Sequence, residues 1–221
     1  MADFDTLSEP LPRRLRDGLE RLATVLKADQ WSAASAAGLN PTQSLVLSYL
    51  AGRGADGMRV KEVAAHLGVT QPTATDSVNA LARKGLVRKG ADAEDARAIA
   101  VRVTAAGRAA VKAIGLTTMA TDRALAALAP DEQADMLLLV TKLIRSLQIA
   151  GALPDQRMCA TCKYFRPHAH ANADKPHHCN FVNAAFGTRH LRLDCAEHEP
   201  AEPSAQAEAW RAFAPETSTP P

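Results

Sequence analysis

The sequence predicts a mainly α-helical protein: a helix-turn-helix with a two-stranded hairpin, amphipathic helices on either side, and a small C-terminal module stapled by metal. Three observations carry this expectation. The chain is 47% hydrophobic yet holds only two Trp, two Tyr and five Phe, so alanine does much of the apolar filling, as in helix-rich proteins. Between residues 60 and 103 a helical apolar period gives way to short strand-like stretches. All four cysteines and five of the seven histidines lie between Cys159 and Cys195.

The 221 residues suffice for one ordinary domain with appendages or two small ones. No run approaches the roughly 20 apolar residues that a membrane span needs. The N-terminal stretch MADFDTLSEPLPRRLRDGLE is charged where a secretory signal is apolar. A cytoplasmic protein without a membrane partner is expected. In that reducing setting, clustered cysteines are ligands rather than disulfides. The net charge of +2 says little. Its distribution says more: residues 59–112 hold ten Lys or Arg against five Asp or Glu, a basic excess suited to a polyanionic partner.

Residues 11–27 carry an apolar stripe at 11, 15, 19, 22, 25 and 26, with basic residues opposite. Asn40 and Pro41 provide an N-cap and a first-turn proline for a helix containing Leu45, Val46, Tyr49 and Leu50, which the glycines at 52, 54 and 57 stop. Two helices follow over residues 61–67 and 71–84, joined by a Gly68-Val69 turn. Thr70 caps the second, and Pro72 falls where no intrahelical N–H bond is lost. After Gly85, strands are expected over residues 86–89 and 99–103, joined by a charged tip. Thr104 caps a helix running to about residue 129 with a break near Gly115. Pro130 opens another whose apolar face is Met136, Leu137, Val140, Leu143, Ile144 and Leu147. Residues 151–156 read as a linker, 157–198 as the cysteine-rich module, and 199–221, rich in Pro, Ala and Glu, as a disordered tail. Trp210 and Phe213 are the tail's two aromatics.

Two helices across a tight glycine turn, followed by a hairpin with a charged tip, make a winged helix-turn-helix. Such a second helix fits the major groove of DNA, and the hairpin reaches beside it. With Ala74, Val78, Leu81 and Ala82 turned inward, Gln71, Thr73, Asp76, Ser77 and Arg83 fall near the outer face and Thr75 at its edge. All are polar groups able to approach bases or phosphates.

The stretch LARKGLVRKGADAEDARAIAVRVTAAG, with its Gly-Leu-Val, its Asp-x-x-Asp-x-Arg wing and its Thr-x-x-Gly exit, resembles the multiple-antibiotic-resistance regulator (MarR) family over about residues 10–150. The resemblance implies a homodimer in which the first helix and the last two interlock, with residues 1–150 forming the DNA-binding and dimerisation unit on a palindromic operator. Arg97 then matches the wing arginine that enters the minor groove, and Asp95 the acid that orients it; an arginine fork suits a narrow A·T groove. Thr73 and Thr75 match positions that touch bases or phosphates, and Gln71 the point where the helix meets the backbone. Arg88 and Lys89 are phosphate contacts. Asp76 departs from the arginine common in relatives, and would accept from cytosine or hold Arg83. Double-stranded DNA is thus the expected partner, with a small-molecule effector as in relatives.

Cys159 and Cys162 form a C-x-x-C knuckle whose thiolates point at one ion, and Cys179 and Cys195 follow at spacings long enough to complete a tetrahedron. His178 and His198 are the candidate substitutes for a sulfur, or outer-sphere donors; His168, His170, His177 and His190 read as solvated loop residues. Zinc is the first reading, because its binding folds a segment too short to hold a core. The alternative is an iron–sulfur cluster: CATCKYF, CNFVNAAFG and a final Cys resemble the ligand order of high-potential iron–sulfur proteins, although few aromatics are there to keep a cluster dry. Four cysteines close a metal site, which argues against a zinc enzyme. The sequence therefore predicts a DNA-binding regulator modulated by metal, redox state or a small ligand, with a dimeric interaction adaptor as the alternative.

Overall fold

Capping chemistry fixes where the first elements begin and end. In the computed structural model, which describes residues 8–53, 57–92, 95 and 97–215, α1 (Leu11–Ala36) runs nine residues past the predicted stripe. No Gly or Pro interrupts residues 28–36, and its last turn buries Ala33 and Ala34. α2 (Pro41–Ala51) starts at a reciprocal cap in which Asn40 Oδ1 accepts from the Gln43 amide and Gln43 Oε1 accepts from the Asn40 amide. α3 (Val60–Leu67) ends at Gly68, whose φ of +63° only glycine adopts readily. The Thr70 side chain accepts from the Thr73 amide and so starts α4 (Gln71–Arg83). Val46, Leu47, Val63, Val78, Leu81 and Val101 are wholly buried where α2, α3, α4 and the hairpin meet.

The hairpin is β2 (Val87–Ala91) paired antiparallel with β3 (Ile99–Val103), with Val87 opposite Val103. The first strand is thus longer than the predicted 86–89. A third strand that the sequence did not announce, β1 (Met58–Arg59), adds to the far side of β3. Residues 93, 94 and 96 of the tip lie outside the described residues. At the hairpin's base Thr104 caps α5 (Ala105–Gly115): its Oγ1 accepts from the Gly107 amide and donates to the carbonyls of Gly85 or Leu86. The expected break after Gly115 separates α5 from α6 (Ala120–Ala126). Asp29 of α1 accepts from the Thr121 amide and hydroxyl at 2.9 and 2.6 Å, and these bonds hold its carboxyl below the usual range. α7 (Pro130–Ile149) closes this part.

α1 and α7 keep apolar faces outward: Leu11, Leu15, Leu19, Leu22 and Leu26 on one, Leu139, Leu143 and Leu147 on the other are exposed. No helix among the described residues is long and apolar enough to cross a membrane.

The C-terminal module is a small antiparallel sheet, β4 (Phe165–Arg166), β5 (His177–Cys179) and β6 (Ala184–Phe186), in the order β4-β5-β6. The tail corrects the prediction. Instead of disorder from residue 199, Pro203–Phe213 form α8, which folds back and buries Phe213 against Phe165 and Leu191. Residues 216–221 lie outside the described residues. Arg145 of α7 reaches this helix through Gln206 at 3.0 Å and the linker through Asp155 at 3.1 Å. A second junction joins the module to α2. Asp194 Oδ1 accepts from Arg53 Nη1 at 3.2 Å and from Arg157 Nε at 2.9 Å, while Arg157 Nη2 donates to the Gly52 carbonyl at 3.1 Å.

Candidate nucleic-acid interface and cysteine cavity

α4 projects a polar edge because its apolar positions recur at 74, 78 and 81 and are drawn into the core. Gln71, Thr73, Asp76 and Arg83 are exposed and Thr75 is half-buried. Thr73 Oγ1 lies 2.8 Å from Thr70 Oγ1, and Thr75 Oγ1 donates to the Gln71 carbonyl at 2.8 Å. Ser77 differs from expectation: at 6% exposed it faces the interior. Three residues after Ala74 and four before Leu81, it sits on the inward stripe, and a small hydroxyl fits there.

On the hairpin Arg88 and Lys89 are exposed, and Lys89 Nζ donates to Asn79 Oδ1 on α4. Arg97 is also exposed. Asp95 does contact it, but through the backbone: Asp95 Oδ1 accepts from the Arg97 amide at 3.0 Å. What fixes the hairpin is a pair that sequence reading missed. Arg59 donates to both oxygens of Asp92 at 2.9 and 3.1 Å, bridging β1 to the hairpin, and its Nη2 lies 4.0 Å from Asp95. The Asp92 hydrogen bonds raise the guanidinium's affinity for its proton. The two residues are 33 apart in sequence, and only the unforeseen strand β1 brings them together.

Beside the hairpin's base lies a second missed feature, a cleft of about 380 Å³ lined by Arg53, Arg88, Arg102 and Arg108. Arg53 stacks over the Tyr49 ring at 3.9 Å, and its buried Nε and Nη2 have no hydrogen-bond partner among the described residues.

In the C-terminal module the four cysteines come together around a cavity of about 340 Å³ whose wall includes Phe165 and Phe186. Among the described residues, no three His, Cys, Asp or Glu side chains are grouped so as to hold one metal ion. Burial pushes the Cys159 thiol up to about 11, reinforced by the other three cysteines and opposed by the Arg192 amide. That amide donates to Cys159 Sγ at 3.3 Å, and Arg192 Nη1 to Cys195 Sγ at 3.4 Å. Both candidate histidines are engaged elsewhere: His198 Nε2 lies 2.9 Å from Thr161 Oγ1, and His178 Nδ1 lies 3.1 Å from His170 Nε2. His177, expected in solvent, is 1% exposed within a ring of Phe165, Phe186 and Phe213. Burial pushes its imidazole down to about 4.

Comparison with known proteins places the first part of the chain. Residues 37–98 match the model of the MarR family. A crystal structure of an S. aureus MepR–DNA complex is similar at 23% identity, over 63% of this chain and 100% of that one, with a TM-score of 0.51. CouR from Rhodococcus jostii RHA1, bound to p-coumaroyl-CoA, is similar at 24% identity, over 67% of this chain and 98% of that one, also at 0.51. At these identities the likeness is one of fold. No curated protein matches the chain. The cysteine module lies outside the matched segment 37–98. Through that segment, and the winged helix-turn-helix built around it, the chain is similar to the MarR family.

Proposed function

We propose that this protein is a homodimeric DNA-binding transcriptional regulator, and not an enzyme. The observation that carries the reading is the outward polar edge of α4 beside a hairpin that presents Arg97 and is braced by Arg59 and Asp92. A helix so exposed enters a major groove, and an arginine on an adjoining hairpin reaches the narrower groove alongside. Gln71, Thr73, Thr75, Asp76 and Arg83 are the groove-facing set; Ser77 is left out because it is buried. Arg88 and Lys89 supply phosphate contacts. The MepR–DNA complex supports the same use of this fold. Arg97→Ala is expected to weaken binding to a selected operator by about 1 to 3 kcal/mol, read by fluorescence anisotropy at fixed salt. Unchanged affinity would remove the hairpin from the interface.

The partner for the exposed leucines is a second copy. Leu11, Leu15, Leu19, Leu22 and Leu26 recur three or four residues apart on one face of α1 and are 46–58% exposed. Leu139 and Leu143 add to them on α7. Exposed apolar stripes of this kind mark an association face. A twofold axis through it would present two copies of α4, as palindromic half-sites about 34 to 36 Å apart require. Leu143→Asp is expected to convert the dimer to monomer in sedimentation velocity and to abolish operator binding, while leaving helical content intact. A dimer that persists would exclude this face.

The cleft favours an anionic effector, since Arg53, Arg88, Arg102 and Arg108 all line it. The cysteine module is read as a metallocofactor-bearing cap on the regulator.

A further inference from the structure

We infer that Cys159, Cys162, Cys179 and Cys195 hold an iron–sulfur cluster, not a zinc ion. The inference gives an identity to the cofactor of the C-terminal cap and does not depend on the chain binding DNA.

Its basis is the placement of the four cysteines around one cavity. Zinc draws four thiolates to a point, each about 2.3 Å from the metal. Here the four cysteines ring a cavity of about 340 Å³, and no three ligating side chains among the described residues are grouped for one ion. A cluster reconciles the two findings. Its inorganic sulfides separate the irons, and each cysteine contributes one bond at the rim. Each thiol gives up its proton as its Fe–S bond forms.

The surroundings fit the same occupant. The sequence offers few aromatics to keep a cluster dry, but the fold gathers them. Phe165 and Leu191 are buried, Phe186 packs with them, and α8 brings Phe213 and Trp210 against the layer that contacts Cys159 and Cys162. Cluster sulfurs accept hydrogen bonds, and those bonds tune the potential. Arg192 supplies two, from its amide to Cys159 and from its guanidinium to Cys195. The histidines that would change the ligand set, His178 and His198, are bonded to His170 and Thr161.

The test uses the full chain, produced with ample iron and purified without oxygen. A brown protein with visible charge-transfer absorbance, holding iron and acid-labile sulfide in equal amounts, is expected. A colourless chain carrying zinc, or one that takes up neither iron nor sulfide on anaerobic reconstitution, would overturn the inference. Cys179→Ala is expected to lose the iron and the colour while keeping its far-ultraviolet helical signal; undiminished iron would exclude Cys179 as a ligand. Arg192→Gln tests the site without removing a ligand. It should keep its iron and show a lower reduction midpoint, because a positive charge and a sulfur hydrogen bond are lost. An unchanged midpoint would mean that the cluster does not sit against Cys195, the sulfur that the guanidinium contacts.

Discussion

Replacing Phe213 by alanine is expected to destabilise the C-terminal module by about 3 to 5 kcal/mol, the range for removing a buried aromatic ring. The ring is 4% exposed, meets Phe165 edge-on at 5.6 Å and lies 5.4 Å from the His177 ring. Its loss would leave a void that the small sheet β4-β5-β6 has little mass to fill, and α8 would lose its one fully packed anchor. Trp210, one turn earlier and 5.8 Å from Phe213, reports the event. In a Trp31→Phe background, denaturant unfolding followed by Trp210 fluorescence should shift to a lower midpoint, while the helical signal of α1 to α7 is retained. A change of less than about 1 kcal/mol would mean that α8 adds nothing to the module's stability.

Gly107→Ala carries the second largest effect. A Cβ at this position would stand 2.1 Å from the Leu86 carbonyl oxygen and 2.8 Å from Val103 Cγ1. The first of these is backbone and cannot swing aside. α5 must therefore retreat from the hairpin's base, which also strains the bonds from the Thr104 amide and hydroxyl to Leu86. Overpacking of this kind costs about 1 to 3 kcal/mol, and each hydrogen bond lost adds roughly 1 kcal/mol. A fall in melting temperature together with weaker operator binding is expected, because the hairpin hangs from this contact. Gly115 provides the control. It lies in the same helix with nothing within 4 Å of an added Cβ, so Gly115→Ala should be neutral or stabilise by up to about 1 kcal/mol. Equal losses in both variants would contradict the packing argument.

Local chemistry made the first half of the molecule legible. Asn40, Thr70 and Thr104 each cap the helix that their residue type announces, and Gly68 turns the chain where a left-handed residue was needed. The sequence motif Thr-x-x-Gly also acquires a cause: Thr104 caps α5, and Gly107 lets that helix touch the end of the preceding strand segment. What escaped was non-local or too short to have a period. β1 spans two residues, below the length at which alternation registers, and with it went the Arg59–Asp92 brace. Ser77 was assigned to the outer face by its polarity, although its position relative to Ala74 and Leu81 is an inward one. The tail looked unable to fold because its composition offers little to bury. Its anchor depends on a receptor formed by Phe165, Leu191 and His177, whose convergence no spacing rule foretells. The clustering of the cysteines in sequence suggested a ligand set, but their placement around one cavity belongs to the fold alone.

Asp194 has a consequence of its own. Its carboxylate answers at once to Arg53, just past the end of α2, the helix that packs on α4, and to Arg157 in the cysteine-rich part. One peptide bond away stands Cys195, whose amide in turn donates to the Arg157 carbonyl. The clasp between the two halves and the last sulfur of the cavity are thus consecutive links of the same chain, so whatever tugs on that sulfur tugs on the latch at the end of α2.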